Sequence, residues 1–262
     1  MHLKRLIIAI IVVPLLYLAV MKLPVIYSCW LITAVAALGL YEFYSMFRLH
    51  AVMKYLGIAW GIGLMVASFM SLGNMFNLYL IAALMFLALR LFLSRDPESS
   101  MLHIATVMLG LVYVPGLLTF QLNLVMRSPQ WIILLYGSVW AADSMAYYVG
   151  KGIGRHKLYE AMSPNKTMEG AVGSLLGGIL GAVLIKYALV AQLPVVKALI
   201  LGLAVGAATI IGDLVESMLK RDAGVKDSGI IFPGHGGILD KIDGVTFAGP
   251  VFFWVCLALK VF

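Results

Sequence analysis

The stretch PVVKALILGLAVGAATIIGDLV, residues 194–215, sets the class of the molecule. Only Lys197 and Asp213 are charged in these 22 positions. A helix needs roughly 20 apolar residues to cross the hydrocarbon of a bilayer, so this run can span with some tilt. Eight further apolar runs lie near 6–21, 25–46, 53–72, 77–94, 102–124, 130–149, 171–190 and 244–262. They are continuous and do not alternate in ten-residue segments, which disfavours a β-barrel. The chain reads as an all-α, polytopic membrane protein with about nine transmembrane helices.

Composition agrees. The 262 residues are 63% hydrophobic and 12% charged, against about 25% charge in a soluble domain. Mean hydropathy is +1.01. A soluble fold could not cover so much apolar surface, so soluble, disordered and disulfide-scaffold classes are excluded. The first run follows Lys4 and Arg5 as a signal peptide would, but it ends at Met21-Lys22-Leu23-Pro24 without a small-residue cleavage site. It reads as a retained helix. Cys29 and Cys256 sit in separate apolar runs and read as small buried hydrophobes.

The net charge of +7 raises the question of nucleic acid. The basic residues are scattered in short inter-helix loops, so phosphate-bearing lipid, nucleotide or membrane surface is the expected partner, and nucleic acid is not. With the N-terminus in the cytoplasm, 14 of the 19 Lys and Arg residues fall on the cytoplasmic side. The positive-inside rule therefore favours N-in, C-out. The two longest loops, about 150–170 and 217–243, then face the cytoplasm.

The acids are distributed unevenly. Nine of 12 lie between Asp143 and Asp243, while the first half holds only Glu42, Asp96 and Glu98. Charge is expensive in a membrane, so its concentration marks the working half. Residues 1–127 read as a scaffold of about five helices and 128–262 as a catalytic region of about four.

Within that half, Asp143 sits about two turns from the end of its span, with Tyr147 on the same face. Gly150, Gly152 and Gly154 follow a helix and not a strand, so they read as a loosened helix exit and not as a dinucleotide fingerprint. In Ser163-Pro164-Asn165-Lys166-Thr167-Met168-Glu169-Gly170, Thr167 can cap the next helix, or the loop with Lys166 can hold a phosphate. Both readings stand on the sequence alone. Gly173, Gly177 and Gly181, four apart, form a stripe for close helix packing. Small-residue faces of this kind suit a homodimer and intramolecular packing equally well.

Asp213, Glu216, Ser217 and Lys220 share one helical face. Bare carboxylates there need a partner, and a cation held between them would supply one. Further on come Lys226-Asp227, Pro233-Gly234-His235-Gly236-Gly237 and Asp240-Lys241-Ile242-Asp243. The glycines permit a tight turn whose N–H groups can cradle phosphate oxygens. Asp227, Asp240 and Asp243 are hard oxygen ligands of the kind Mg²⁺ takes when it also binds substrate phosphates. A membrane-edge loop that combines these features points to metal-assisted phosphoryl chemistry. His235, beside the carboxylates, belongs with the catalytic candidates.

The 27 residues from Ser217 to Asp243, read as Ser217-x2-Lys220-Arg221-x4-Lys226-Asp227-x5-Pro233-Gly234-His235-Gly236-Gly237-x2-Asp240-Lys241-x-Asp243, resemble the C-terminal signature of the phosphatidate cytidylyltransferases, or CDP-diacylglycerol synthases. Gly212-Asp213-Leu214-x-Glu216-Ser217, Asp143-Ser144-x-Ala146-Tyr147 and Ser163-Pro164-x-Lys166-Thr167-x-Glu169-Gly170 resemble the same family. Three positions depart from it: Lys241 stands where Arg is usual, Met168 where Trp is common, and Asn165 where Lys or Gly is usual. Lys241 keeps the charge and loses the bidentate fork.

The resemblance implies transfer of CMP from CTP to phosphatidate, giving CDP-diacylglycerol and pyrophosphate, in a bacterial plasma membrane. It implies Mg²⁺, with room for a second cation, held mainly by Asp213 and Asp240, with Asp227 and Asp243 in or beside the ligand set. Lys220, Arg221 and Lys226 would hold the triphosphate or the lipid phosphate. The turn containing Gly234, Gly236 and Gly237 would approach the nucleotide, with Lys241 and Asp143 also at the substrate. Ser163, Lys166 and Thr167 would close over the site. Rival readings are an ion-coupled transporter with an Asp143–Asp213 relay, an intramembrane aspartyl protease on the same pair, and a cytidylyltransferase or kinase acting on another lipid. The first two leave the 27-residue signature without a use.

Overall fold

The computed structural model describes residues 17–18, 20–93, 96–229 and 236–262. Most of the first apolar run lies outside this set, as do Lys4, Arg5, Arg95, Pro233, Gly234 and His235. Eight helices among the described residues are long and apolar enough to cross a membrane. They are α1 (Val25–Met46), α2 (Ala51–Phe69), α3 (Met75–Leu93), α4 (Ser100–Arg127), α5 (Pro129–Ile153), α6 (Met168–Leu189), α7 (Val195–Asp222) and α8 (Leu239–Ala258). The chain is a polytopic, all-α integral membrane protein. Its helices keep large apolar side chains on their outer faces, such as Phe76, Leu91 and Phe92 on α3. Only an apolar surrounding makes such surfaces favourable.

Local chemistry sets the helix ends. Pro24 and Pro194 precede α1 and α7, and Pro129 opens α5, where its missing N–H costs nothing. The His50 ring nitrogen Nδ1 accepts from Val52 N at 3.3 Å at the start of α2. Thr167 Oγ1 accepts from Gly170 N at 3.0 Å and caps α6, as its sequence position permits. Inside α4, Pro115 lacks the N–H of a regular turn, and Val112–Gly116 widens to a π-helical turn there.

Three findings refine the sequence reading. α8 begins at Leu239, five positions before the apolar run at 244, so Asp240 and Asp243, spaced i and i+3, lie on one face of a helix start at the end of the 217–243 stretch. α5 continues through Gly150 and Gly152, and Gly154 is its C-cap. Gly150 is therefore packed and not loosened: it lies against Thr167 and Gly170, which a Cβ would crowd, while Gly152 faces open space. The link from α5 to α6 also holds a small antiparallel hairpin, β1 (Lys157–Tyr159) with β2 (Ser163–Thr167), pairing Lys157 with Thr167 and Tyr159 with Ser163.

The second half packs through its small residues. On α6, Gly173, Gly177 and Gly181 lie directly against backbone carbonyls of Met145, Ala141 and Gly137 on α5. The opposite side of α6 meets α7, where Gly178 faces Gly202 and Gly206, and Ser174 Oγ donates to Gly206 O at 3.2 Å. Gly212 of α7 abuts Asp243 and Phe247 of α8. Backbones this close hold the acidic positions of α5, α7 and α8 within one small region.

Candidate active site

The C-terminal end of α7 and the N-terminal turn of α8 meet at Lys220. Its Nζ lies 2.8 Å from Glu216 Oε2 and 2.6 Å from Asp240 Oδ1. The spacing of Glu216 and Lys220, i and i+4, follows from helical geometry. The contact with Asp240 requires the tight α7–α8 approach at Gly212. Asp240 is engaged at its other oxygen too: Oδ2 accepts from Ser228 N at 2.9 Å, Ser228 Oγ at 2.8 Å and Gly237 N at 2.7 Å. Gly236 has φ of +80°, a left-handed conformation that glycine adopts without strain. That turn aims the Gly237 N–H back at Asp240.

A second group lies beside the first. Lys166 of the hairpin forms an ion pair with Asp213 of α7. Asp143 of α5 and Asp243 of α8 are near enough for their charges to act on Asp213 and on Lys166. Glu216 is 1% exposed, and its Oε1 has no hydrogen-bond partner among the described residues. Five carboxylates therefore share one region with two ammonium groups. So many carboxylates beside hydrocarbon are relieved by taking up protons or by a cation joining them. The donors are hard oxygens, which suits Mg²⁺. The fit is one of chemistry and charge: among the described residues, no three His, Cys, Asp or Glu side chains converge as a metal-binding group.

The other predicted residues are placed as follows. Arg221 donates from Nε to Met162 O at 3.4 Å and from Nη1 to Val225 O at 3.3 Å, joining α7 to the hairpin tip. Ser163 is half-buried on β2, and Thr167 is buried with its hydroxyl on the α6 cap. The Glu169 carboxylate accepts from Arg155 N, His156 N and the His156 ring, closing the base of the hairpin. Lys226, Asp227 and Lys241 are exposed and lie outside the contacts just described. Gly237 N–H is taken by Asp240. Gly234 and His235 lie outside the described residues.

One residue was missed by the sequence reading. Glu42 of α1 is 2% exposed, and its carboxylate accepts from Ser228 Oγ at 3.0 Å, Ile238 N at 2.9 Å and Leu239 N at 3.0 Å. It fastens the first helix to the acidic loop. The signal was present: a lone acid in a 22-residue apolar run needs a reason.

Comparison with known proteins adds a separate line. Residues 3–259 match the model of the cytidylyltransferase family. Three curated relatives carry the name phosphatidate cytidylyltransferase. That of Synechocystis sp. is 47% identical over 134 residues, covering 49% of this chain and 44% of the relative. That of Haemophilus influenzae is 38% identical over 169 residues, covering 62% and 58%. That of Bacillus subtilis is 47% identical over 123 residues, covering 46% and 45%. The chain spans about half the length of these relatives.

Proposed function

The chain belongs to the cytidylyltransferase family, and from that premise we propose that it transfers CMP from CTP to phosphatidate, giving CDP-diacylglycerol and pyrophosphate. The observation that carries the reading is the part-buried Glu216–Lys220–Asp240 bridge beside the Asp143, Asp213 and Asp243 cluster. That arrangement can receive cations and polyphosphate at one point. The proposed catalytic region is 128–262, with 1–127 as its helical scaffold.

The chemistry asks little of a general base. A phosphate monoester has a second pKa of about 6, so phosphatidate is largely dianionic at neutral pH. Its phosphate oxygen forms a bond to the α-phosphorus of CTP, and the bond to the β-phosphate oxygen breaks, releasing pyrophosphate. Positioning and charge neutralisation then supply most of the catalysis. Mg²⁺, when bound, would neutralise charge on the triphosphate and the leaving pyrophosphate. Asp213 and Asp243, with Asp240 contributing a remaining lone pair, are the residues that would hold it. Lys166 and Lys220 would turn from their carboxylates toward phosphate oxygens, and Arg221, Lys226 and Lys241 would line the exposed approach. The acyl chains would stay in the bilayer beside the helices.

The three departures from the family pattern, Asn165, Met168 and Lys241, are all exposed and lie outside the carboxylate cluster. Orientation follows from charge: the α5–α6 and α7–α8 links would face the cytoplasm with most of the basic residues. The test is conversion of labelled phosphatidate by purified protein supplied with CTP and Mg²⁺. Formation of CDP-diacylglycerol is expected, and its absence in protein shown to be folded refutes the reading.

A further inference from the structure

Glu42 stands 186 to 197 positions before its three hydrogen-bond donors. A buried carboxylate in an apolar helix is destabilising unless donors compensate it. Here the donors come from the α7–α8 link itself, Ser228 near its start and Ile238 at its end, and from Leu239, the first residue of α8. The two N–H groups are free ends of α8, where helix geometry leaves donors unpaired and the helix dipole favours an anion. Gly229 and Gly237 press on the same carboxylate, and a Cβ on either would collide with it. The surroundings are shaped to this group.

Ser228 joins Glu42 to the candidate site. Its hydroxyl lies 3.0 Å from Glu42 Oε2 and 2.8 Å from Asp240 Oδ2. One hydroxyl proton serves one acceptor at a time, while Ser228 N–H stays with Asp240 at 2.9 Å. Gly237 N–H also goes to Asp240, and the next two N–H groups go to Glu42. Two carboxylates therefore divide the first donors of α8 between them.

From this geometry we infer that Glu42 is a positioning residue. It fixes Ser228 and the first turn of α8 in register, and through them sets the Asp240 carboxylate against Lys220. The consequence for catalysis rests on the cytidylyl-transfer reading above. The consequence for structure does not.

The test uses the full chain as wild type, Glu42→Gln, Glu42→Asp, Ser228→Ala and the Glu42→Gln/Ser228→Ala pair. Amide hydrogen exchange is read at residues 236–243, and kcat and KM for CTP are read per folded molecule. Gln keeps the shape but loses the charge and one acceptor oxygen. Exchange at Ile238 and Leu239 is expected to rise about tenfold or more, the factor for one lost charge-assisted hydrogen bond. The kcat is expected to fall by a similar factor, with KM for CTP within about twofold. Glu42→Asp keeps the charge and should restore part of the kcat. Adding Ser228→Ala to Glu42→Gln should cost less than the two single changes summed, because they act through one link.

Unchanged exchange at Ile238 and Leu239 in Glu42→Gln overturns the inference, as does an unchanged kcat per folded molecule. If Glu42→Gln does not fold, Glu42→Asp carries the same two readouts with smaller shifts. If the wild type makes no CDP-diacylglycerol, the functional reading fails, and the exchange result alone then decides whether Glu42 positions α8.

Discussion

Replacing Lys220 by Met removes the cation between Glu216 and Asp240 and keeps most of the side-chain volume. Lys220 and Glu216 have side-chain exposures of 12% and 2%, so water offers little compensation. Breaking a buried ion pair by removing one partner costs about 3–5 kcal/mol where the other charge stays behind, and less where that group takes up a proton. The loss is unequal between the two carboxylates. Asp240 keeps Ser228 N, Ser228 Oγ and Gly237 N. Glu216 Oε2 loses its Lys220 bond, and Oε1 has no partner among the described residues. Most of the penalty therefore belongs to Glu216. Adding Glu216→Gln to Lys220→Met discharges that group and should return about 2 kcal/mol, within the range for one stranded buried polar group. Turnover should not return, because the ammonium proposed to meet phosphate is still missing. A loss of about 100-fold in kcat is expected in both variants, the scale seen on removing one transition-state donor. The assay pairs denaturant unfolding in lipid or detergent with CTP-dependent turnover per folded molecule. A Lys220→Met variant within about 1 kcal/mol of wild type would refute the argument, as would a double variant no more stable than the single one.

Other outcomes follow from the same contacts. Gly177→Leu would drive a side chain into the Ala141 backbone at the α5–α6 contact, so a loss of about 3 kcal/mol or more is expected in an unfolding titration; Gly63→Ala, with open space at its Cβ, should be neutral or gain about 0.5 kcal/mol. Chelation should abolish turnover and Mg²⁺ should restore it, and Asp213→Asn should raise the Mg²⁺ needed for half-activity by about 10–100-fold; turnover indifferent to chelator would end the metal assignment. A reporter fused at Phe262 should lie outside the cytoplasm, and a cytoplasmic signal there would overturn the N-in orientation.

The eight described spans were legible because each is a continuous apolar run of membrane length, a signal that needs no knowledge of neighbours. The stripe at Gly173, Gly177 and Gly181 was legible for a similar reason: four-residue spacing is a property of one helix. Boundaries were read less well where charge entered a helix. Asp240, Lys241 and Asp243 look like loop residues by composition, yet Glu42 and Asp240 accept from the first N–H groups of α8 and make a helical start favourable. The hairpin at 157–167 has no alternating apolar pattern to announce it. Glu42 was visible as a charge, but its partners lie nearly two hundred positions away, where no local pattern can reach. Asp213 was singled out with Glu216 as a carboxylate in need of a partner, and Asp240 as a metal ligand. The structure shows which ammonium each one holds, Lys166 and Lys220, a pairing set by tertiary approach and not by spacing alone.

The central claim is that the CMP moiety of CTP, and not its terminal phosphate, ends on the lipid. Purified protein should be given phosphatidate and CTP labelled at either the α- or the γ-phosphorus. The account predicts α-label in the lipid product and γ-label in released pyrophosphate, in equal amounts. Label from the γ-position in the lipid, or no labelled lipid from folded protein, would contradict it.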